Sequence, residues 1–167
     1  MRRISFLATA IATALLVAGL SAQKADLSGK WTLVPDPNAA PPGGGGGGGG
    51  GGRGGGRGGG GGGFCGQECT ITQDATTLTV TRTTQAGEQK AVYKLDGSES
   101  KNPGRGGAEV VSKAMWEGNK VSISTQQPGR DGGPGVTVNM KVGVTGGQME
   151  VETDAGRGPQ KQTYKKG

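Results

Sequence analysis

Cys65 and Cys69 are the first groups in this chain with a chemistry of their own. In Cys65-Gly66-Gln67-Glu68-Cys69 the two are four apart, a spacing that a turn can bring within disulfide range. A redox-active pair needs a helix N-terminus or a similar device to hold a thiolate. The flanking residues predict none, so a local structural disulfide is expected. Two Cys without a His make a poor metal centre, and His is absent from all 167 residues. The same absence removes the commonest general base and the commonest activator of a Ser or Cys nucleophile. Glu150, Glu152 and Asp154 are the remaining candidates for acid–base work. The two glutamates share the strand face opposite Met149 and Val151 and are read as solvated. No catalytic residue, metal or cofactor is therefore expected, and the chain reads as non-enzymatic.

Arginine offers a second chemistry, anion binding. Arg105, Arg130 and Arg157 each stand in a Gly- and Pro-containing loop and suit an anionic group, although Glu99, Asp131 and Asp154 nearby dilute the field. Arg53 and Arg57 interrupt an otherwise all-glycine tract from Gly43 to Gly63. Nucleic-acid-binding arrays of this kind repeat Arg densely and interleave aromatics. Two Arg in the tract, and 4% aromatic residues overall, argue against that use. The tract is expected to be a flexible linker, because glycine loses the most backbone entropy on ordering and has no side chain to bury.

Composition sets the frame for these groups. Arg2 and Arg3 precede an apolar run from Ile4 to Leu20, and Ser21-Ala22 supplies small residues. This pattern predicts a signal peptide, 1–22, and an apolar run at the short limit for crossing a membrane. The mature chain is then exported, periplasmic or extracellular, where cysteines oxidise. Without Arg2 and Arg3, 17 basic residues face 13 acidic ones, a mild excess of +4 and no nucleic-acid footprint. With 38 Gly and 31% hydrophobic residues, only a small core is possible. Residues 23–167 are therefore expected to form a single monomeric domain, interrupted by a flexible Pro/Gly-rich segment, 35–64.

The elements that must position these residues are strands. Leu27 to Val34 alternates with Leu27, Gly29, Trp31 and Leu33 on one face. Further strands are expected over Glu68–Gln73, Thr76–Thr83, Lys90–Leu95, Glu109–Trp116, Lys120–Thr125, Val136–Val144, Met149–Thr153 and Gln160–Lys165. Long loops are expected over Ser98–Gly107, Gln127–Gly135 and Asp154–Pro159, with tight turns at Gly118 and Gly146-Gly147. The fold class is thus all-β, an antiparallel up-and-down meander of eight or nine short strands, a barrel in preference to a sandwich. The three arginine loops are alternate connections, so they belong at one end. By the same count the glycine tract leaves from the other end.

Gly29-Lys30-Trp31 in a first strand, followed by a meander with basic residues on its last strand, resembles the calycin pattern of lipocalins, fatty-acid-binding proteins and avidin-like barrels. The resemblance implies that Trp31 closes one end of a barrel and packs against a basic side chain from the final strand, Lys161 or Lys165. Gly29, Trp31 and Trp116 are then structural residues. Segments such as Tyr93 to Ser100 and Ala114 to Lys120 are similar to those of small secreted bacterial β-proteins without an assigned function. The favoured function is a non-catalytic exported binding module whose partner is a small, anionic or otherwise, molecule held in the barrel or at the arginine-bearing end. Alternatives are a protein-binding module, since the early Gly-x-Trp and a disulfide also resemble secreted bacterial protease inhibitors, or an envelope or matrix component.

Overall fold

A computed structural model describes residues 24–36, 63–84, 87–104, 108–129, 133–156 and 158–167. The expected leader 1–22 and the glycine tract up to residue 62 lie outside them. Ten strands follow one another: β1 (Gly29–Leu33), β2 (Glu68–Gln73), β3 (Thr77–Thr84), β4 (Gly87–Lys94), β5 (Asp96–Pro103), β6 (Glu109–Glu117), β7 (Lys120–Gln127), β8 (Val136–Thr145), β9 (Gln148–Asp154) and β10 (Gln160–Lys166). They form a single antiparallel sheet in the order β4-β3-β2-β1-β10-β9-β8-β7-β6-β5. The sheet curls until its two edges, β4 and β5, lie side by side, giving a nearly closed up-and-down barrel.

Nine of the strands carry the alternation that the sequence announces. The tenth, β5, occupies the stretch expected to be a loop. Its inward positions are Ser100 and Asn102, so it has no apolar face to betray it, and the turn leading into it is Leu95 alone. There are ten strands rather than eight or nine, and because the count is even the first and last run antiparallel and pair directly, Trp31 opposite Lys166 and Leu33 opposite Tyr164.

The extra strand also corrects the ends of the barrel. Connections β1–β2, β3–β4, β5–β6, β7–β8 and β9–β10 share one end, here the rim. The tight turns at Asp74, Leu95, Gly118 and Gly146-Gly147 share the other, the base. The stems of the glycine tract, at the end of β1 and the start of β2, therefore lie at the rim with the stems of the three arginine loops. The expectation of opposite ends fails because one unrecognised strand inverts the parity of everything before it.

The core lies along the barrel axis. Leu27, Trp31, Ile71, Leu78, Val80, Val121, Ile123, Val142, Met149, Val151 and Tyr164 are all fully buried. Each large apolar side chain so removed from water contributes roughly 1.5–3 kcal/mol. At the base, Gly29 adopts φ 127°, a backbone conformation that L side chains rarely take. The chain can therefore fold Leu27 across the opening, where its carbonyl accepts a 2.8 Å hydrogen bond from Trp31 Nε1. Lys24 covers Trp116 in the same region, with Nζ 5.6 Å from the ring centroid. Outward faces are polar and carry ion pairs such as Lys30–Glu68 and Lys141–Glu117.

Candidate ligand-binding site

On β4, β8, β9 and β10 burial along the inward face falls from the core towards the rim, whereas β6 runs the other way, from buried Val110 and Ser112 near the rim to half-buried Trp116 near the base. On β8, Val142 is 0% exposed, Met140 and Val138 are half-buried, and Val136 is 47% exposed, although all four share one face. β10 repeats the gradient from buried Tyr164 through Gln162 to exposed Gln160, and β4 does so from Tyr93 through Ala91 and Gln89 to Gly87. On β9, Val151 is buried and Thr153 half-buried. The barrel is thus a cup, packed and closed at the base and accessible at the rim. A recess of about 310 Å³ opens there too, at the stem of the β7–β8 connection, among Gln126, Gln127, Pro128, Gly135, Val136 and Thr137.

One side of the rim is occupied by Gly63–Gln67, which precedes β2. Phe64 and Cys65 are buried in the core, with the Phe64 ring centroid 6.1 Å from that of Tyr93. Cys65 is joined to Cys69 on β2 by a disulfide, with Cα atoms 5.0 Å apart, so the segment is fixed to the wall beside it. Gln67 accepts the Leu33 N–H at 2.8 Å.

Arg82, paired with Cys69 in the β2–β3 ladder, holds the same segment. It follows Leu78 and Val80 on the inward face of β3, and its Nη1 donates to the Gly63 carbonyl at 2.7 Å. Nη2 donates to Gln89 Oε1 at 3.3 Å. Among the described residues no carboxylate pairs with Arg82. Its positive field reaches both tyrosines. Burial pushes the Tyr93 and Tyr164 hydroxyls above their usual pKa, and the Arg82 charge pulls each partly back. Tyr164 donates within reach of the Gly66 carbonyl at 3.3 Å and Gln162 Oε1 at 3.2 Å.

A second polar group lies deeper, where β4 meets β5. Here side chains take the place of a regular ladder. Asn102 Oδ1 accepts the Val92 N–H at 2.7 Å, and Ser100 Oγ accepts the Lys94 N–H at 2.9 Å. Ser100, Asn102, Ser112 and Thr125 are the buried polar residues among those described, and Ser112 Oγ lies 2.9 Å from Thr125 Oγ1.

Arg105, Arg130 and Arg157, the arginines proposed from sequence to take an anion, lie outside the described residues; only the stems of their loops are placed, all at the rim. Gly29 and Trp31 are at the base, and Trp116, half-buried, lies at the base end of β6. Trp31 meets Lys166 rather than Lys161 or Lys165. Lys161 points outward to Glu150 at 2.8 Å, which holds that carboxyl below its usual pKa. Glu150 therefore serves an outer ion pair, and no group of three potential metal ligands exists among the described residues. Arg82 and Asn102 escaped sequence reasoning. Arg82 was legible in principle, because Leu78, Val80 and Arg82 share parity, whereas nothing in Asp96–Pro103 signals Asn102.

No family model matches the chain, and no curated protein does. Solved structures resemble it at low identity. Lipid binding protein 8 of Caenorhabditis elegans superposes with TM-score 0.50 at 10% identity, over 60% of this chain and 70% of that one. A secretary abundant heat soluble protein from Ramazzottius varieornatus gives 0.49 at 17% identity, over 60% and 70%. A protein described as REP1-NXSQ fatty acid transporter gives 0.49 at 15%, over 60% and 69%. The likeness to the nematode protein is one of fold, and the chain is a calycin-like β-barrel.

Proposed function

We propose that this protein is a non-catalytic, exported binding barrel that takes a small amphiphilic anion through its rim. The observation that carries the reading is the burial gradient: inward side chains on four strands are sealed at the base and accessible at the rim, as a ligand cup requires. Val136, Val138 and Met140 offer an apolar wall, and Arg82 an inward cation without a carboxylate partner among the described residues. A guanidinium in that setting suits a carboxylate or similar group. Lipid, the class named for the nematode protein, is one kind of amphiphile that fits this description. Export is supported by the basic-then-apolar N-terminus together with the oxidised Cys65–Cys69 pair.

Native mass spectrometry of protein from its own exported fraction, with titration of the purified protein by decanoate, tests this. A co-purifying small molecule and saturable decanoate binding are expected. Arg82→Gln should weaken decanoate roughly tenfold or more, the equivalent of a charge-assisted hydrogen bond of about 1.5–3 kcal/mol. A bare monomer mass together with no decanoate binding would overturn the reading.

A further inference from the structure

Asn102 is 4% exposed and sits on the inward face of β5, opposite Val110 of β6. The Val92 N–H needs an acceptor, and only the carboxamide oxygen can supply it, so the orientation of the group is set. Asn102 Nδ2, with two hydrogens to donate, is then left buried without a partner among the described residues. A buried donor in that state carries the full desolvation penalty of the group, which an accepting atom would offset. Ser112, two residues along β6 from Val110, is the diagonal neighbour of Asn102 at about 7–8 Å between Cα atoms. In the Ser112–Thr125 pair one hydroxyl donates to the other, and the accepting hydroxyl keeps its own hydrogen to give.

The position along the axis matters as much. Arg82 is level with Gln89 on β4, whereas Asn102 is bonded to Val92, three residues nearer the base. At about 3.3 Å per residue the two groups are roughly 10 Å apart measured along β4.

We propose that Asn102 Nδ2, with the Ser112–Thr125 hydroxyl pair, forms a second subsite that takes an acceptor oxygen part-way along the ligand. The barrel then prefers an amphiphilic anion whose apolar chain carries an oxo group over one with a plain hydrocarbon chain. This rests on the reading of the rim as the ligand entrance with Arg82 at the anionic end. A plain chain leaves the buried amide unpaired, whereas an oxo group pairs it, and the difference falls on one oxygen.

The probes are decanoate and a set of oxodecanoates with the ketone at successive positions. At least one oxo isomer should bind tenfold or more tighter than decanoate. That isomer alone should shift the Asn102 side-chain amide resonances in nitrogen-15 spectra of the wild-type protein. Asn102→Leu should bind the oxo and plain chains equally. Because that variant also strips the Val92 N–H of its acceptor, the wild-type resonances decide the matter if it fails to fold. If decanoate binds with dependence on Arg82 but every oxo isomer binds no better, the subsite fails and the rim reading stands. If an oxo isomer binds tightly with the Asn102 resonances unmoved, Asn102 serves a water only and the subsite fails. If neither class binds, both readings fall.

Discussion

The Lys166 ammonium stands 5.6 Å from the centroid of the Trp31 ring, reaching it from the position directly opposite in the β1–β10 ladder. The last strand thus covers the aromatic that the first strand inserts, and the stem of Lys166 lies where a Cβ on Gly29 would fall. Trp31→Ala removes a side chain that is 1% exposed and leaves a cavity at the base. It should cost about 3–5 kcal/mol in urea unfolding. Lys166→Gln should cost about 0.5–1 kcal/mol by loss of the cation–π contact, whereas Lys165→Gln should change little. A Trp31→Ala variant as stable as the wild type would refute the placement of the ring.

The Cys65–Cys69 bond ties the segment bearing Phe64 to the wall of the barrel. In the chain-entropy account, closing so short a loop is worth about 2 kcal/mol. The Cys65→Ser/Cys69→Ser double variant should therefore unfold at lower urea with an unchanged slope. Hydrogen exchange should speed up at the N–H groups of Cys65 and Leu33 more than in β7. Equal protection in the two forms would mean that the Phe64 contacts hold the segment unaided.

Both tyrosines of the chain report on the interior at alkaline pH. Burial raises Tyr93 and Tyr164 above the ordinary value of 10.0, so the neutral hydroxyl is the form the fold prefers. Their contribution to stability is present in full below the unfolded-state value and is lost as pH rises through the raised native values. Tyrosinate absorbance should therefore appear only above pH 10 and together with unfolding, whereas the denatured protein should titrate near 10. Arg82→Gln should move the native onset further up, since the charge that pulls both groups down is gone. Ordinary titration of either tyrosine in the folded protein would contradict its burial.

Much of the barrel was legible because most of its strands have one apolar face. Val136, Val138, Met140, Val142 and Val144 declare β8 without help from any neighbour. What escaped was the strand whose inward residues are polar. Ser100 and Asn102 are tolerated inside because backbone N–H groups of β4 use them as acceptors, a tertiary fact with no local signature. That omission then spread, since in a meander the end at which each connection falls depends on every strand counted before it. The choice of Lys166 over Lys161 or Lys165 is likewise a matter of register, which the pairing of β10 with both β1 and β9 decides. The site was half legible: Arg82 follows from extending the parity of Leu78 and Val80, while Asn102 needed the seam.

An even number of strands has a practical consequence for handling the molecule. β1 begins and β10 finishes at the base, so Lys24 and Gly167 stand on the side away from the mouth. A tag or surface linkage fused after Gly167 would therefore present the cup outward.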